Sequence, residues 1–194
     1  VSGGTIKDIY FYGTGSGNGS GLVLSGATNV NVRDVISDNN GGAGIAVYSS
    51  SNSCSVIGCK TDGNVVAGID VNGSDYVRVI GNHGYNNGAA GGGGAIALFS
   101  SNRCNIEGNT ANSNTGFGID VRYSTRSNIA NNNCNDNAYS GISISSGAVG
   151  ASNKITITGN TCDENGEHGI VLDAGGLSYF INYVTVTGNS CSGN

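Results

Sequence analysis

The 194 residues include 35 Gly and no Pro, Met or Trp, and only 11% of them are charged. A net charge of −5 and a pI near 4.7 leave no basic surface to gather a phosphate backbone, which argues against a nucleic-acid partner. No apolar run approaches the roughly 18 residues of a membrane span, and the sequence opens without a charged-then-apolar leader, so no membrane insertion is expected.

Along the chain two kinds of short strand alternate. One begins at Leu22 and returns at Ile45, Ile69, Ile96, Ile119, Ile142 and Ile170, usually after a Gly and with an apolar partner two residues on. The other centres on Val32, Val56, Val79, Ile106, Ile129, Ile157 and Val186, a period of 23 to 29 residues. Eight residues after each of these stands Asn: Asn40, Asn64, Asn87, Asn114, Asn137, Asn165 and Asn194. Three residues after the last five stands a second Asn: Asn82, Asn109, Asn132, Asn160 and Asn189. Period-two alternation without a helical pattern predicts an all-β chain, a single-stranded parallel solenoid of about seven turns in which stacked turns share one core. Stacked Asn amides are expected to form hydrogen-bonded ladders at the corners. The Gly before the Ile-type strand is expected to supply an unusual φ there. The domain is taken as residues 1–194, and Val1 and Ser192-Gly193-Asn194 read as abrupt ends of a piece of a longer chain.

The unit G-N-x-x-x-x-N-x-x-x-G-I-x-V resembles the right-handed parallel β-helix repeat of the pectin-lyase-like superfamily over essentially the whole chain. That resemblance implies polysaccharide chemistry of several kinds, including lyases, polygalacturonases, alginate epimerases and phage tailspikes. The epimerase's Asp-Pro-His unit is absent, because "GIDVNG" and "GIDVRY" keep Asp but lose Pro and His. The glycine-rich calcium repeat is absent too, and no cofactor or metal is expected.

Cys134, Cys162 and Cys191 fall five residues after their reference positions in three successive turns, as apolar filler with one adjacent pair within disulfide reach. Cys54 and Cys104 lie two turns apart, about 9.6 Å, too far to bond. Free thiols fit folding in a reducing compartment. His83 and His168 are read as turn residues, and Asp163, Glu164 and Glu167 as loop decoration. Asn18-Gly-Ser20 and Asn72-Gly-Ser74 match the glycosylation pattern at the frequency chance allows.

Outward columns of the Ile-type strand carry the candidate site. One residue past the Ile the column reads Val23, Ala46, Asp70, Ala97, Asp120, Ser143 and Val171. Two residues further on it reads Ser25, Tyr48, Asn72, Phe99, Arg122, Ser145 and Asp173. Asp70 and Asp120 are the candidate catalytic pair, with backbones about 9.5 Å apart across Ala97, at the upper edge of the ~6.5–9.5 Å used by inverting glycoside hydrolysis. Tyr48, Asn72, Phe99, Arg122 and Asp173 are the candidate binding residues, the aromatics to stack on sugar faces and Arg122 to hold a carboxylate. The bland alternative is a solvated face with a weak Asp–Arg contact. Loop insertions at 88–94, 146–152 and 174–183 would border a groove, with Tyr179, Phe180 and Tyr183 as a lip or a contact with a neighbouring chain.

The leading expectation is a carbohydrate-binding β-helix, part of a phage tailspike or receptor-binding protein on a virion surface or outside the cell. It would recognise bacterial polysaccharide, with or without cleaving it, and a homotrimer is one assembly it could form. The alternatives are a stand-alone polysaccharide lyase or hydrolase and a purely structural solenoid.

Overall fold

A computed structural model describes residues 1–15, 17, 19–89, 93–176 and 179–194. Among these every regular element is a strand, and all strand pairings within the sheets are parallel. Among the described residues no helix is long and apolar enough to cross a membrane. Three sheets run along the molecule, of eight, five and seven strands among the described residues.

The eight-stranded sheet stacks the Val-type strands in the expected register. Val32, Val56, Val79, Ile106, Ile129, Ile157 and Val186 pair in succession. Ile6 precedes Val32 in the same column, an N-terminal turn that carries no ladder Asn and so escapes the repeat pattern. The seven-stranded sheet stacks Leu22, Ile45, Ile69, Ile96, Ile119, Ile142 and Ile170. Between them lies a five-stranded sheet, Tyr10–Tyr12, Ile36–Asp38, Lys60–Asp62, His83–Tyr85 and Thr110–Ala111. The residues between the two Asn columns are therefore a third wall, and His83 sits on a strand rather than in a turn. Three-residue strands are too short for their alternation to stand out in sequence, and parallel neighbours one turn away stabilise them.

Apolar side chains from all three walls fill the core, where Ile45, Ile69, Ile106, Ile119, Ile129, Ile142 and Ile157 are essentially fully buried. Each such side chain contributes about 1.5–3 kcal/mol of burial. Both Asn ladders are present. In the longer one, each Nδ2 from Asn40 to Asn165 donates to the Oδ1 of the next turn's Asn at 2.8–3.2 Å. The second runs Asn82, Asn109, Asn132, Asn160 and Asn189 at 2.9–3.0 Å. At the remaining corner the backbone N–H groups of Ser51, Ser74, Ser101 and Ser124 donate to the hydroxyl of the next Ser, a ladder the sequence reading did not find.

The Gly before the Ile-type strand has a different role from the one expected. Gly44 and Gly141 do not adopt positive φ; a Cβ on either would meet the next turn's Gly carbonyl oxygen at 2.8 Å and a ladder amide nitrogen at 2.9 Å. Close approach of stacked turns, rather than a left-handed corner, demands glycine there.

The six cysteines are free, with Cys54, Cys59, Cys104, Cys134 and Cys162 buried and Cys191 exposed. Cys134, Cys162 and Cys191 are stacked on successive turns as unbonded thiols, so filler without a disulfide is the arrangement found.

Candidate functional site

The seven-stranded sheet turns Ile and Val inward at alternate positions, and the pleat sends the intervening residues outward. Parallel register then aligns Ala46, Asp70, Ala97, Asp120 and Ser143 in one outward column, and Tyr48, Asn72, Phe99, Arg122 and Ser145 in the next. Both columns are those expected from the sequence. Their exposure is not: Asp70 is 6% and Asp120 0% exposed, so the carboxylates are not bathed in solvent. Tyr48, Phe99 and Arg122 are half-buried and form the outer layer, with Asn72 exposed beside them.

Specific bonds tie the two layers together. The Tyr48 hydroxyl donates to Asp70 Oδ2 at 2.6 Å, one turn further along the solenoid. Arg122 donates from Nε at 2.8 Å and from Nη2 at 2.7 Å, both to Asp120 Oδ2. The guanidinium carbon lies 5.1 Å from the Phe99 ring centroid, a cation–π contact that orients Arg122 along the face. The second oxygens, Asp70 Oδ1 and Asp120 Oδ1, are buried and accept no hydrogen bond among the described residues.

Burial without full pairing sets the proton affinities. Desolvation pushes the Asp120 carboxyl up to about 6, with Arg122 opposing and the neighbouring charge of Asp70 reinforcing the rise. Asp70 is also raised by burial, with the Tyr48 hydroxyl opposing, and the Tyr48 hydroxyl is in turn raised by burial and by Asp70. Arg122 thus pairs with Asp120, the Asp–Arg contact set beside a ligand carboxylate as the other reading of these residues.

Asp173 stands in the Arg122 column, beyond Ser145, and is exposed. Its Oδ1 accepts from the Gly175 backbone at 2.8 Å, so it shapes its own loop and does not join the Asp70–Asp120 cluster. Of the loops expected to border a groove, residues 90–92 and 177–178 lie outside the described residues, as does Asn18 of the first glycosylation pattern. In the loop at 146–152, Gly147 and Gly150 approach the Tyr123 ring and backbone. Phe180 and Tyr183 are exposed, and Lys154 lies 5.9 Å over the Tyr183 ring. Among the described residues no group of three or more His, Cys, Asp or Glu side chains is placed to hold a metal ion.

Residues 2–83 and 20–190 match the family model described as right handed beta helix region. The chain belongs to this right-handed β-helix family. No curated protein matches the chain in sequence. Solved structures similar to this β-helix include a mutant form of the periplasmic alginate epimerase AlgG, with TM-score 0.72 and 16% identity over 98% of this chain and 47% of that one. The A-module of the Azotobacter vinelandii mannuronan C-5 epimerase AlgE4 gives 0.70 and 16% identity, over 99% of this chain and 54% of that one. A protein named only as a glycoside hydrolase gives 0.55 and 13% identity over 90% of this chain and 34% of that one. The chain spans about half the length of the two epimerase structures.

Proposed function

We propose that this β-helix binds polysaccharide along the outward face of its seven-stranded sheet, as part of a surface-exposed protein such as a phage tailspike that recognises bacterial glycans. The observation that carries the reading is the alignment of Tyr48, Asn72, Phe99 and Arg122 on four consecutive turns, braced from below by Asp70 and Asp120. Half-exposed rings suit stacking on sugar faces, and the Asn72 amide and Arg122 suit hydroxyl recognition. Two carboxylates against one guanidinium leave no surplus positive charge, which favours a neutral glycan over a polyuronate. The carbohydrate names of the structures similar in fold are in keeping with polysaccharide as the broad ligand class, while the preference for a neutral glycan rests on the charge of this face alone.

Titration with bacterial surface oligosaccharides, followed by calorimetry, is expected to show Phe99→Ala weakening binding about five- to tenfold. Tyr48→Phe keeps the ring and releases Asp70, so a smaller loss is expected. Crystals soaked with the same oligosaccharides and showing sugar density only away from Tyr48, Asn72 and Phe99 would sink the assignment.

A second reading draws on the raised proton affinity of Asp120 and the spacing of the two Asp residues. In it Asp70 and Asp120 serve as acid and base in glycan cleavage, each with an oxygen not used by the protein. Release of reducing ends that persists in an Asp70→Asn, Asp120→Asn double variant excludes them from that role and leaves both as positioning residues.

A further inference from the structure

We propose that the outward face of the five-stranded sheet is a second saccharide site, which takes a carboxylate-free sugar through the Tyr10 and Tyr12 rings and the Asp38 carboxylate. Parallel register stacks Tyr10, Ile36, Lys60 and His83 in one outward column and Tyr12, Asp38, Asp62 and Tyr85 in the other. Phe11, Ser37, Thr61 and Gly84 occupy the inward positions between them. Tyr10 and Tyr12 lie on the edge strand, 59% and 67% exposed, with ring centroids 6.0 Å apart at 63°. Rings held on a rigid strand lose little conformational freedom on binding, which is what makes tyrosine a good contact residue.

Asp38 supplies the independent observation. It is 8% exposed, it lies near the Tyr10 side chain of the neighbouring strand, and its Oδ1 is buried without a hydrogen-bond partner among the described residues. An orphaned buried acceptor is a standing cost that a ligand hydroxyl removes. Tyr12 stands directly beside Asp38 in the parallel register and is exposed, so a sugar stacked on these rings lies next to that carboxylate. A buried carboxylate with an orphaned oxygen beside a tyrosine recurs on the seven-stranded sheet, where Tyr48 donates to Asp70 one turn on and Asp70 Oδ1 has no partner among the described residues. Burial raises the proton affinity of Asp38, and Lys60 opposes the rise.

Charge defines the class of sugar. Asp62 holds the Lys60 ammonium at 3.8 Å and accepts the Asn86 amide at 3.0 Å, so the cation of this face is already engaged. Two carboxylates against one ammonium repel uronates and sialates and admit neutral or amino sugars. A protein partner fits less well, because a specific interface buries about 1,200 Å² or more around an apolar centre. Here Ile36 is the one large aliphatic side chain, and it is flanked by charge.

The site is separate from the face assigned above and does not depend on it. The test is amide chemical-shift titration of the ¹⁵N-labelled chain with neutral gluco-, manno- and galacto-hexaoses, with a glucosamine hexamer and with an oligogalacturonate hexamer. Shifts at Tyr10–Tyr12, Ile36–Asp38 and Lys60–Asp62 are expected with a neutral or amino hexamer and not with the uronate. Tyr12→Ala and the isosteric Asp38→Asn, each checked by thermal melting, are expected to weaken the response at least fivefold, while Phe99→Ala leaves it unchanged. Absence of shifts on this sheet with every probe, equal response to the uronate, or no loss in both variants overturns the proposal. Shifts on this sheet that vanish in Phe99→Ala overturn it as a separate site. Failure of the seven-stranded face alone, with these shifts intact, leaves it standing.

Discussion

Replacing Asn132 with Ala is expected to destabilise the protein by about 3–5 kcal/mol in urea titration, against about 0.5 kcal/mol or less for Asn133→Ala one residue away. Asn132 is 2% exposed and Asn133 is exposed. The Asn132 side chain donates from Nδ2 to the Ile106 carbonyl at 3.1 Å and to Asn160 Oδ1 at 2.9 Å. Its Oδ1 accepts from the backbone and side-chain nitrogens of Asn109, both at 2.9 Å. Truncation removes four bonds and strands buried donors on the turn before and a carbonyl one turn back. Asn132→Asp keeps the acceptor for Asn109 but sets a carboxylate against the Ile106 carbonyl and Asn160 Oδ1. Its carboxyl is therefore raised in the folded state, and stability is expected to recover as the pH falls toward 4. A ladder that stays intact on deletion of one rung, with equal costs at Asn132 and Asn133, would show that the amides follow the fold rather than hold it.

Arg122→Met should cost about 2–4 kcal/mol at pH 8 and markedly less at pH 4.5, because it leaves Asp120 buried beside Asp70 without its cation. Half-exposure of Arg122 places the figure below that of a fully buried pair. Lowering the pH protonates Asp120 and removes the stranded charge. An Asp120→Asn, Arg122→Met double variant is expected to recover most of the loss at pH 8 and to show little pH dependence. The unsubstituted chain should carry a milder version of the same slope. With the Asp120 carboxyl at about 6 when folded, against an unfolded value near 3.8, protonation favours the folded state. That contribution is fully present below about pH 4 and is lost as the pH rises through about 6, a change of up to about 3 kcal/mol. Denaturation midpoints that run parallel for the unsubstituted chain and Asp120→Asn between pH 4 and 7 would contradict it.

The ladders and columns were legible because a solenoid repeats its environment. Every turn places the same position against the same neighbour, so Asn64 and Asn137, 73 residues apart in sequence, meet identical demands and carry identical residues. The third wall was not legible, since Ile36–Asp38 and Lys60–Asp62 are three residues long and lie between Asn positions that read as corners. The Ser ladder, with rungs 23 to 28 residues apart, escaped because serine recurs throughout a Ser-rich chain and its stacked hydroxyls do not stand out from that background. The glycine before Ile45 or Ile142 was recognised as necessary while its cause was misjudged, because sequence does not show the carbonyl of the next turn 2.8 Å from an absent Cβ.

Composition and period by themselves determined an all-β parallel solenoid, the register of its two long sheets and the set of residues that share the Tyr48–Arg122 face. Only the tertiary structure decided that Asp70 and Asp120 lie beneath that face, that Arg122 is spent on Asp120, and that Tyr10, Tyr12 and Asp38 form a second face. The physical reason is that a repeat fixes which residues are stacked, through main-chain hydrogen bonds common to every turn. Which of two outward side chains covers the other depends on rotamers and on diagonal contacts between turns, and these are particular to pairs such as Tyr48 with Asp70 and Arg122 with Phe99.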